Sequence, residues 1–289
     1  MLKKLVLFGM LLILLCVGCS CKSNVNDDVS TFEVTENVQT SESKQYIIPV
    51  LLYHNLEDPV SGYITTNITP DLFKEHMLGL KERGYTTILV SDYYKYINGE
   101  LSLPENPIII TFDDGYLSNY EDAYPILKEL GMCATIFVVT STVGEESSGG
   151  KVNTSHFTWE QAKEMQDSGI IDIQSHSFSH KNMSKISDDD LLEELTLSKD
   201  TLVENLSKDV LIFAYPYGGY NEKTLEKVIE VGYDMQVLVT NVESNLKYLA
   251  VNSENGLEKF SRLTVSGDMS VQDLYDMIDA SVSNVKLNS

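Results

Sequence analysis

Short apolar runs alternate with helical segments from residue 46 to the end of the chain, and this alternation limits the possible folds more than any other feature. Runs of strand length are predicted at 47–53, 108–112, 133–139, 170–174, 210–215, 233–239 and 260–265. Helices are predicted at 70–83, 117–130, 158–169, 187–206, 221–231 and 270–282. Repeated strand–helix units form a parallel sheet with helices outside it. We therefore expect an α/β fold, either a closed (β/α) barrel of about seven strands or a doubly wound open sheet.

The first residues of the chain have the layout of an export signal. Lys3 and Lys4 precede an apolar run at 5–17 that is too short to span a bilayer comfortably, and Gly18 and Cys19 follow it. A cysteine directly after a small residue resembles a bacterial lipoprotein signal, which implies that Cys19 is lipidated and holds the protein at the extracellular face of the bacterial cell membrane. A plain secretory signal is the alternative, and it would also place the mature protein outside the cytoplasm.

The composition divides the chain into three segments. Residues 1–18 are the predicted lipoprotein signal peptide, residues 19–45 a flexible tether rich in Ser, Asn, Asp, Thr and Glu, and residues 46–289 the folded domain. Cys21 is the second candidate for lipidation. Cys133 is the single cysteine of the folded domain, so a disulfide framework is excluded.

The chain is strongly acidic, with 43 Asp and Glu against 21 Lys and Arg and a net charge of −22. A surface of this sign repels a phosphate backbone, so the sequence excludes a nucleic-acid partner. Its hydrophobic fraction of 43% is ordinary for a globular protein and excludes a mainly disordered chain. We expect a monomer.

Chemically active side chains follow the predicted strands, and in either architecture the active site lies at the carboxyl ends of the strands. Asp113 and Asp114 follow the strand 108–112, and adjacent residues that leave a strand diverge. One carboxylate can therefore bind a metal while the other faces a water molecule. His176 and His180 follow another strand, with a spacing that suits metal ligands if the backbone turns between them. Two imidazoles and one carboxylate form an open three-ligand site.

Two further strand ends carry weaker signals. The segment Tyr215-Pro216-Tyr217-Gly218 predicts a tight turn whose backbone N–H groups can face a ligand, although such a segment is often a simple loop. His54 closes the first strand, where a histidine is often structural. Taken together, a metal site, a carboxylate base and a histidine acid are the parts of a hydrolase for an amide or an ester. An Fe(II) oxygenase could use the same ligands, but it would have no use for the second carboxylate.

The motif Thr111-Phe112-Asp113-Asp114-Gly115, followed by His176-Ser177-Phe178-Ser179-His180, resembles the polysaccharide deacetylases of carbohydrate esterase family four. The resemblance extends from about Tyr46 to the last helix and implies a distorted (β/α)7 barrel. It also implies that Asp113 is the catalytic base and that Asp114, His176 and His180 bind the metal. The backbone N–H of Tyr217 would stabilise the oxyanion, and we expect Tyr215, Pro216 and Gly218 to contact the substrate. Zn²⁺ is the expected metal, and Co²⁺ or Ni²⁺ also suit these ligands.

The sequence departs from the family pattern at three places. Many members have an arginine where this chain has Ala214, and they carry an Asp-Trp pair and a Leu-x-His that are absent here. The branch that deacetylates poly-β-1,6-N-acetylglucosamine has its acid histidine on the first strand, which implies that His54 is the acid. His76 and His156 are interpreted as structural residues, among polar neighbours and in a polar loop.

The resemblance therefore predicts an extracellular, lipid-anchored and metal-dependent deacetylase. Its expected substrate is an acetylated N-acetylglucosamine polymer, such as poly-N-acetylglucosamine, peptidoglycan or a chitin-like glycan, from which it releases acetate. An O-acetyl esterase that acts on xylan or another glycan is one alternative. A glycan-binding protein without activity is the other, although binding alone does not require both Asp113 and Asp114.

Overall fold

The computed structural model describes residues 46–59, 62–63, 65–147, 150–239, 250–252, 259–260 and 262–288. The predicted signal peptide and tether, including Cys19, lie outside these residues and stay predictions. Within the described ranges, no helix is long and apolar enough to cross a membrane.

Strands and helices alternate along the described chain, as the apolar pattern predicts. The strands are β1 (Ile47–Tyr53), β2 (Asn55–Leu56), β3 (Asn67–Ile68), β4 (Thr86–Ile88), β5 (Pro107–Asp114), β6 (Ala134–Val138), β7 (Ile171–Ser175), β8 (Ile212–Ala214), β9 (Met235–Val237), β10 (Ala250–Asn252), β11 (Lys259–Phe260) and β12 (Leu263–Thr264). The helices are α1 (Pro70–Glu82), α2 (Val90–Ile97), α3 (Tyr124–Leu130), α4 (Trp159–Asp167), α5 (Asp188–Leu206), α6 (Glu222–Glu230) and α7 (Val271–Asn288).

The main sheet curls round and closes on its first strand. Strands β1, β5, β6, β7, β8, β9 and β11 are hydrogen-bonded in that order, and each pair along this path is parallel. β11 pairs with β9 while β12 pairs with β1, and only residues 261 and 262 separate these two short strands. The strand order therefore follows the chain in one direction. This is the arrangement of a barrel, without the reversal that defines a doubly wound sheet, so the predicted distorted (β/α)7 barrel is confirmed.

Five elements were not predicted, namely β2, β3, β4, α2 and β10. β4 and α2 lie between 86 and 97, where a three-residue strand and a tyrosine-rich helix lack a clear apolar repeat. β10 pairs antiparallel with β1. The helix predicted at 117–130 contains a π-helical turn, Asn119–Ala123, which ends two residues before Pro125. Pro125 has no N–H to continue the regular hydrogen-bond ladder.

The strands are buried on both faces, which gives the site a rigid support. Ile48 and Val50 pack in one apolar cluster with Phe137, whereas Leu51 and Tyr53 pack in a second cluster with residues of the surrounding helices. Buried parallel strands of this kind appear in a sequence as continuous apolar runs, which is why the strands could be located from the sequence.

Candidate active site

The two adjacent carboxylates at the end of β5 point to different places. Asp113 shares one face of β5 with Ile109 and Thr111, because alternate residues of a strand lie on the same side, and its side chain is 2% exposed. Asp114 has a left-handed backbone, with φ of 73°, and is partly exposed. Gly115 follows with φ of 83°, and a Cβ atom there would lie 2.7 Å from Cγ2 of Val138. The strand can therefore turn away only through a glycine.

Asp113 is held by a buried arginine. Arg262 donates from Nη1 to Oδ1 at 2.6 Å and from Nη2 to Oδ2 at 2.7 Å, and its own side chain is fully buried. Burial alone would raise the pKa of Asp113, but the charge and hydrogen bonds of Arg262, together with His176 and His54, hold that pKa well below its ordinary value. Asp113 is consequently a fixed carboxylate at neutral pH.

His176 directs its unprotonated Nε2 toward the carboxylates of Asp113 and Asp114. Its Nδ1 lies 2.9 Å from the carbonyl oxygen of Ala214, which can only accept a hydrogen bond, so Nδ1 carries the proton. Burial lowers the pKa of His176 and favours the neutral imidazole. The Nε2 lone pair then faces Oδ2 of Asp113 at 3.6 Å and Oδ1 of Asp114 at 3.7 Å. A lone pair opposite two anionic oxygens is favourable when a cation lies between them.

His180 completes the same group of ligand atoms. Its Nε2 lies 3.3 Å from Oδ1 of Asp114, and its Nδ1 lies 3.1 Å from the hydroxyl of Tyr217. One ligand atom from each of Asp114, His176 and His180 lies within 4.8 Å of the other two. Among the described residues, this is the one such group of His, Cys, Asp or Glu. Two imidazole nitrogens and a carboxylate oxygen fit a divalent transition metal.

Tyr217 occupies an unusual position in a tight turn. The Gly218 N–H donates to the Tyr215 carbonyl at 3.0 Å, Pro216 is the second residue, and Tyr217 is the third, with φ of 58° and ψ of 12°. This is a type II turn in which a tyrosine takes the place that glycine normally fills. The hydrogen bond that closes the turn is donated by the Gly218 N–H. The Tyr217 N–H belongs to the central peptide of the turn and takes no part in that bond. The Tyr217 side chain is 66% exposed.

Tyr215, Pro216 and Gly218, the other residues of this turn, pack against the protein interior. Tyr215 is fully buried, and its hydroxyl donates to the side chain of Gln236. Pro216 is buried as well, and Gly218 packs against Val239. Tyr215 and Pro216 thus face the core, which corrects their predicted role as substrate contacts.

His54 and the three candidate metal ligands line the same cleft of about 320 Å³. The full lining is Leu52, His54, Thr65, Thr66, Asp113, Asp114, His176, His180, Tyr217, Val239 and Thr264. The carbonyl oxygen of His54 accepts a hydrogen bond from Asn119 at 2.7 Å, which fixes the backbone there. Its buried Nδ1 makes no hydrogen bond to any described residue. The structure therefore brings together every residue for which the sequence predicted a catalytic or metal-binding role.

Comparison with known proteins agrees with this geometry. The sequence model of the polysaccharide deacetylase family matches residues 101–236. YxkH of Bacillus subtilis (strain 168), whose name assigns it to the polysaccharide deacetylases, is 32% identical over 244 residues, which cover 84% of this chain and 78% of YxkH. The chain belongs to the polysaccharide deacetylase family. The predicted resemblance and the predicted enzyme class are thereby confirmed.

Two other members of this family help to place the chain. A poly-β-1,6-N-acetyl-D-glucosamine N-deacetylase of Staphylococcus aureus (strain MRSA252) is 26% identical over 195 residues, which cover 63% of this chain and 66% of that enzyme. The solved structure of the Streptococcus pyogenes deacetylase PplD in complex with acetate is 27% identical and superposes with a TM-score of 0.69, over 81% of this chain and 99% of that one.

This polysaccharide deacetylase contains a residue that the sequence did not single out. Ala214 offers only its carbonyl oxygen to His176, and Arg262, which directly precedes β12, supplies the guanidinium for Asp113. One signal was available, because Arg262 is one of two arginines in the chain and lies inside a predicted apolar strand.

The two remaining histidines of the deacetylase are outside the metal group. His76 is fully buried between the Tyr53 hydroxyl, at 3.2 Å, and the Met269 carbonyl, at 2.8 Å. His156 stacks on Tyr116 with 5.2 Å between the ring centroids. Both contacts are of the structural kind that the sequence predicted.

Proposed function

We propose that this polysaccharide deacetylase removes N-acetyl groups from an N-acetylglucosamine polymer and releases acetate, with a divalent cation held by Asp114, His176 and His180. The observation that carries the proposal is the neutral His176, whose Nε2 lone pair faces two carboxylates in the cleft that also contains His54. Zn²⁺ suits this donor set best, and Co²⁺ or Ni²⁺ fit it as well.

The cation, when bound, supplies Lewis-acid polarisation of an acyl oxygen and activation of a water molecule. Asp113 takes a proton from the attacking water, because Arg262 keeps it ionised and holds it in one orientation. The Tyr217 N–H is free of the turn's own hydrogen bond and donates to the oxygen on which negative charge develops.

The acid step favours an amide as the substrate. An amine leaves only after it receives a proton, whereas an activated ester does not need one, and histidine is a common general acid for such a transfer. His54 is the histidine of the cleft that lies outside the metal group. The S. aureus relative named for poly-β-1,6-N-acetyl-D-glucosamine supports the same class of glycan.

The test is acetate release from defined acetylated oligosaccharides by metal-free protein reconstituted with Zn²⁺. We expect His54→Ala to bind Zn²⁺ as the wild type does, to lose most of its amide turnover and to keep most of its turnover of an activated aryl acetate. His180→Ala, the matched control, should lose the metal and both activities. Equal losses of amide and ester turnover in His54→Ala would refute the acid role. Release from O-acetylated xylan but not from N-acetylglucosamine oligomers would refute the substrate class.

We also propose that the enzyme acts at the extracellular face of the membrane through a lipid on Cys19. The apolar run before Gly18 and Cys19 supports this proposal. Cys19→Ser should be released into the medium or remain unprocessed, while Cys21→Ser, the matched control, should fractionate with membranes. A mature-size Cys19→Ser protein in the membrane fraction would refute the assignment.

A further inference from the structure

A buried carboxylate lies directly behind the loop that carries the metal ligands. Glu194 belongs to α5 and is 2% exposed. It takes no part in the chemistry proposed above, because its hydrogen bonds and its ion pair among the described residues go to Ser179 and Lys181 and not to Asp113 or the three ligands. A buried carboxylate is costly unless it is paired, so its partners indicate what it does.

The partners of Glu194 flank His180 on both sides. The Ser179 N–H donates to one carboxylate oxygen at 2.7 Å, and the Ser179 hydroxyl donates to the other. The Lys181 ammonium lies 3.2 Å from that second oxygen. A single side chain thus holds the residue before His180 and the residue after it.

His180 needs such support because its backbone is in an unfavourable region. Its φ is 60°, and φ of Ser177 is 69°, although neither residue is a glycine. Non-glycine residues persist in this region only where their surroundings hold them there. Contacts from the β6 side hold the first part of the loop, where Thr140 N–H donates to Ser177 and Ser141 N–H donates to Phe178. In the second part, the His180 N–H donates to the Ser177 hydroxyl at 3.0 Å, and the residues on both sides of His180 rest on Glu194.

We infer that Glu194 is a positioning residue for the metal site, which fixes His180 at the distance from Asp114 and His176 that a cation requires. The inference rests on the proposed metal dependence and extends it to a residue in the second layer around the site. Groups of this layer typically change metal affinity by 10–100-fold when they are replaced. Replacement of Glu194 by glutamine keeps the side-chain volume but removes the charge and one hydrogen-bond acceptor. We therefore expect the affinity of Glu194→Gln for Zn²⁺ to fall by about 10–100-fold.

The experiment compares Zn²⁺ dissociation constants of the mature chain, measured by competition with a chromogenic chelator, for the wild type, Glu194→Gln and Asp172→Asn. Asp172 is the matched control, because it is a buried carboxylate of β7 that pairs with Lys208 away from the loop. Asp172→Asn should lower the unfolding temperature without changing the Zn²⁺ affinity. Deacetylation by Glu194→Gln should fall at limiting Zn²⁺ and recover at saturating Zn²⁺, and the visible spectrum of its Co²⁺ form should change.

Each result bears on the inference. A Glu194→Gln affinity within twofold of the wild type would overturn it while leaving the proposed function intact, and so would an equal loss in Asp172→Asn. If the wild type binds no divalent cation, the proposed function and this inference both fail. If Glu194→Gln does not fold, Ser179→Ala leaves α5 intact and removes one loop contact, and the affinity should then fall by about threefold or more. An unchanged affinity in Ser179→Ala would count against Glu194 in that case.

Discussion

Replacement of Arg262 by methionine tests how the base is kept ionised. The change removes both charged hydrogen bonds to Asp113 and leaves a carboxylate that is 2% exposed without this partner. Breaking a buried ion pair from one side costs about 3–5 kcal/mol. At 1.36 kcal/mol per pKa unit, relief of that cost by protonation corresponds to an increase of roughly 2–4 units in the pKa of Asp113.

The contribution of Asp113 to the free energy of unfolding depends on pH in opposite directions in the wild type and in Arg262→Met. In the wild type the pKa of Asp113 is lower in the folded state than in the unfolded state, so its contribution to stability is complete above pH of about 4 and is lost as the pH falls through the folded value. In Arg262→Met the folded pKa is raised by burial. Relative to the wild type, the variant should therefore be least stable near neutral pH and recover part of the difference only as the pH falls below about 5. Its kcat should decline with acid at a higher pH than that of the wild type.

The assay is the pH profile of kcat together with urea unfolding at pH 7 and at pH of about 4. Arg83→Met is the matched control, because Arg83 is the other arginine and pairs with Asp279 at 2.9 Å on the surface. Exposed pairs contribute about 1 kcal/mol or less, so Arg83→Met should leave the kcat profile unchanged. If Arg262→Met unfolds like Arg83→Met and keeps the acid limb of the wild type, Arg262 does not control Asp113 and the reasoning is refuted.

Three further predictions follow from the site. Tyr217→Phe removes the hydroxyl 3.1 Å from Nδ1 of His180 and should weaken Zn²⁺ binding about tenfold in chelator competition; an unchanged affinity would contradict this role. Gly115→Ala introduces a Cβ 2.7 Å from Val138 at a positive φ and should cost about 1–3 kcal/mol in urea unfolding; a loss below about 0.5 kcal/mol would contradict the packing. Removal of the cation by a chelator should lower the free energy of unfolding by about 2.7 kcal/mol relative to protein at one hundred times its Kd, and an unchanged Tm would argue against a resident metal.

The sequence predicted the parts of the molecule that depend on local pattern. Seven apolar runs give the strands of the barrel, since a strand buried on both faces requires a continuous apolar run. The ends of those strands give Asp113, Asp114, His176, His180 and His54, since parallel strands bring their carboxyl ends to one edge. Neither result needs knowledge of which distant residues touch.

The parts that were missed depend on contacts between distant residues. Arg262 and Asp113 are 149 positions apart, and no local pattern connects them. His76 has polar neighbours along the chain but is enclosed in the fold by Tyr53 and Met269, which come from other elements. The burial of Tyr215 likewise depends on Gln236, a residue of the next strand.

The segment that closes the barrel also carries the partner of the base. Arg262 lies between β11, which pairs with β9, and β12, which pairs with β1. A molecule in which these last strands have not yet joined the sheet would hold Asp113 without its guanidinium. Completion of the fold and orientation of the base are thus coupled, because the last strands bring the side chain that holds the Asp113 carboxylate in place.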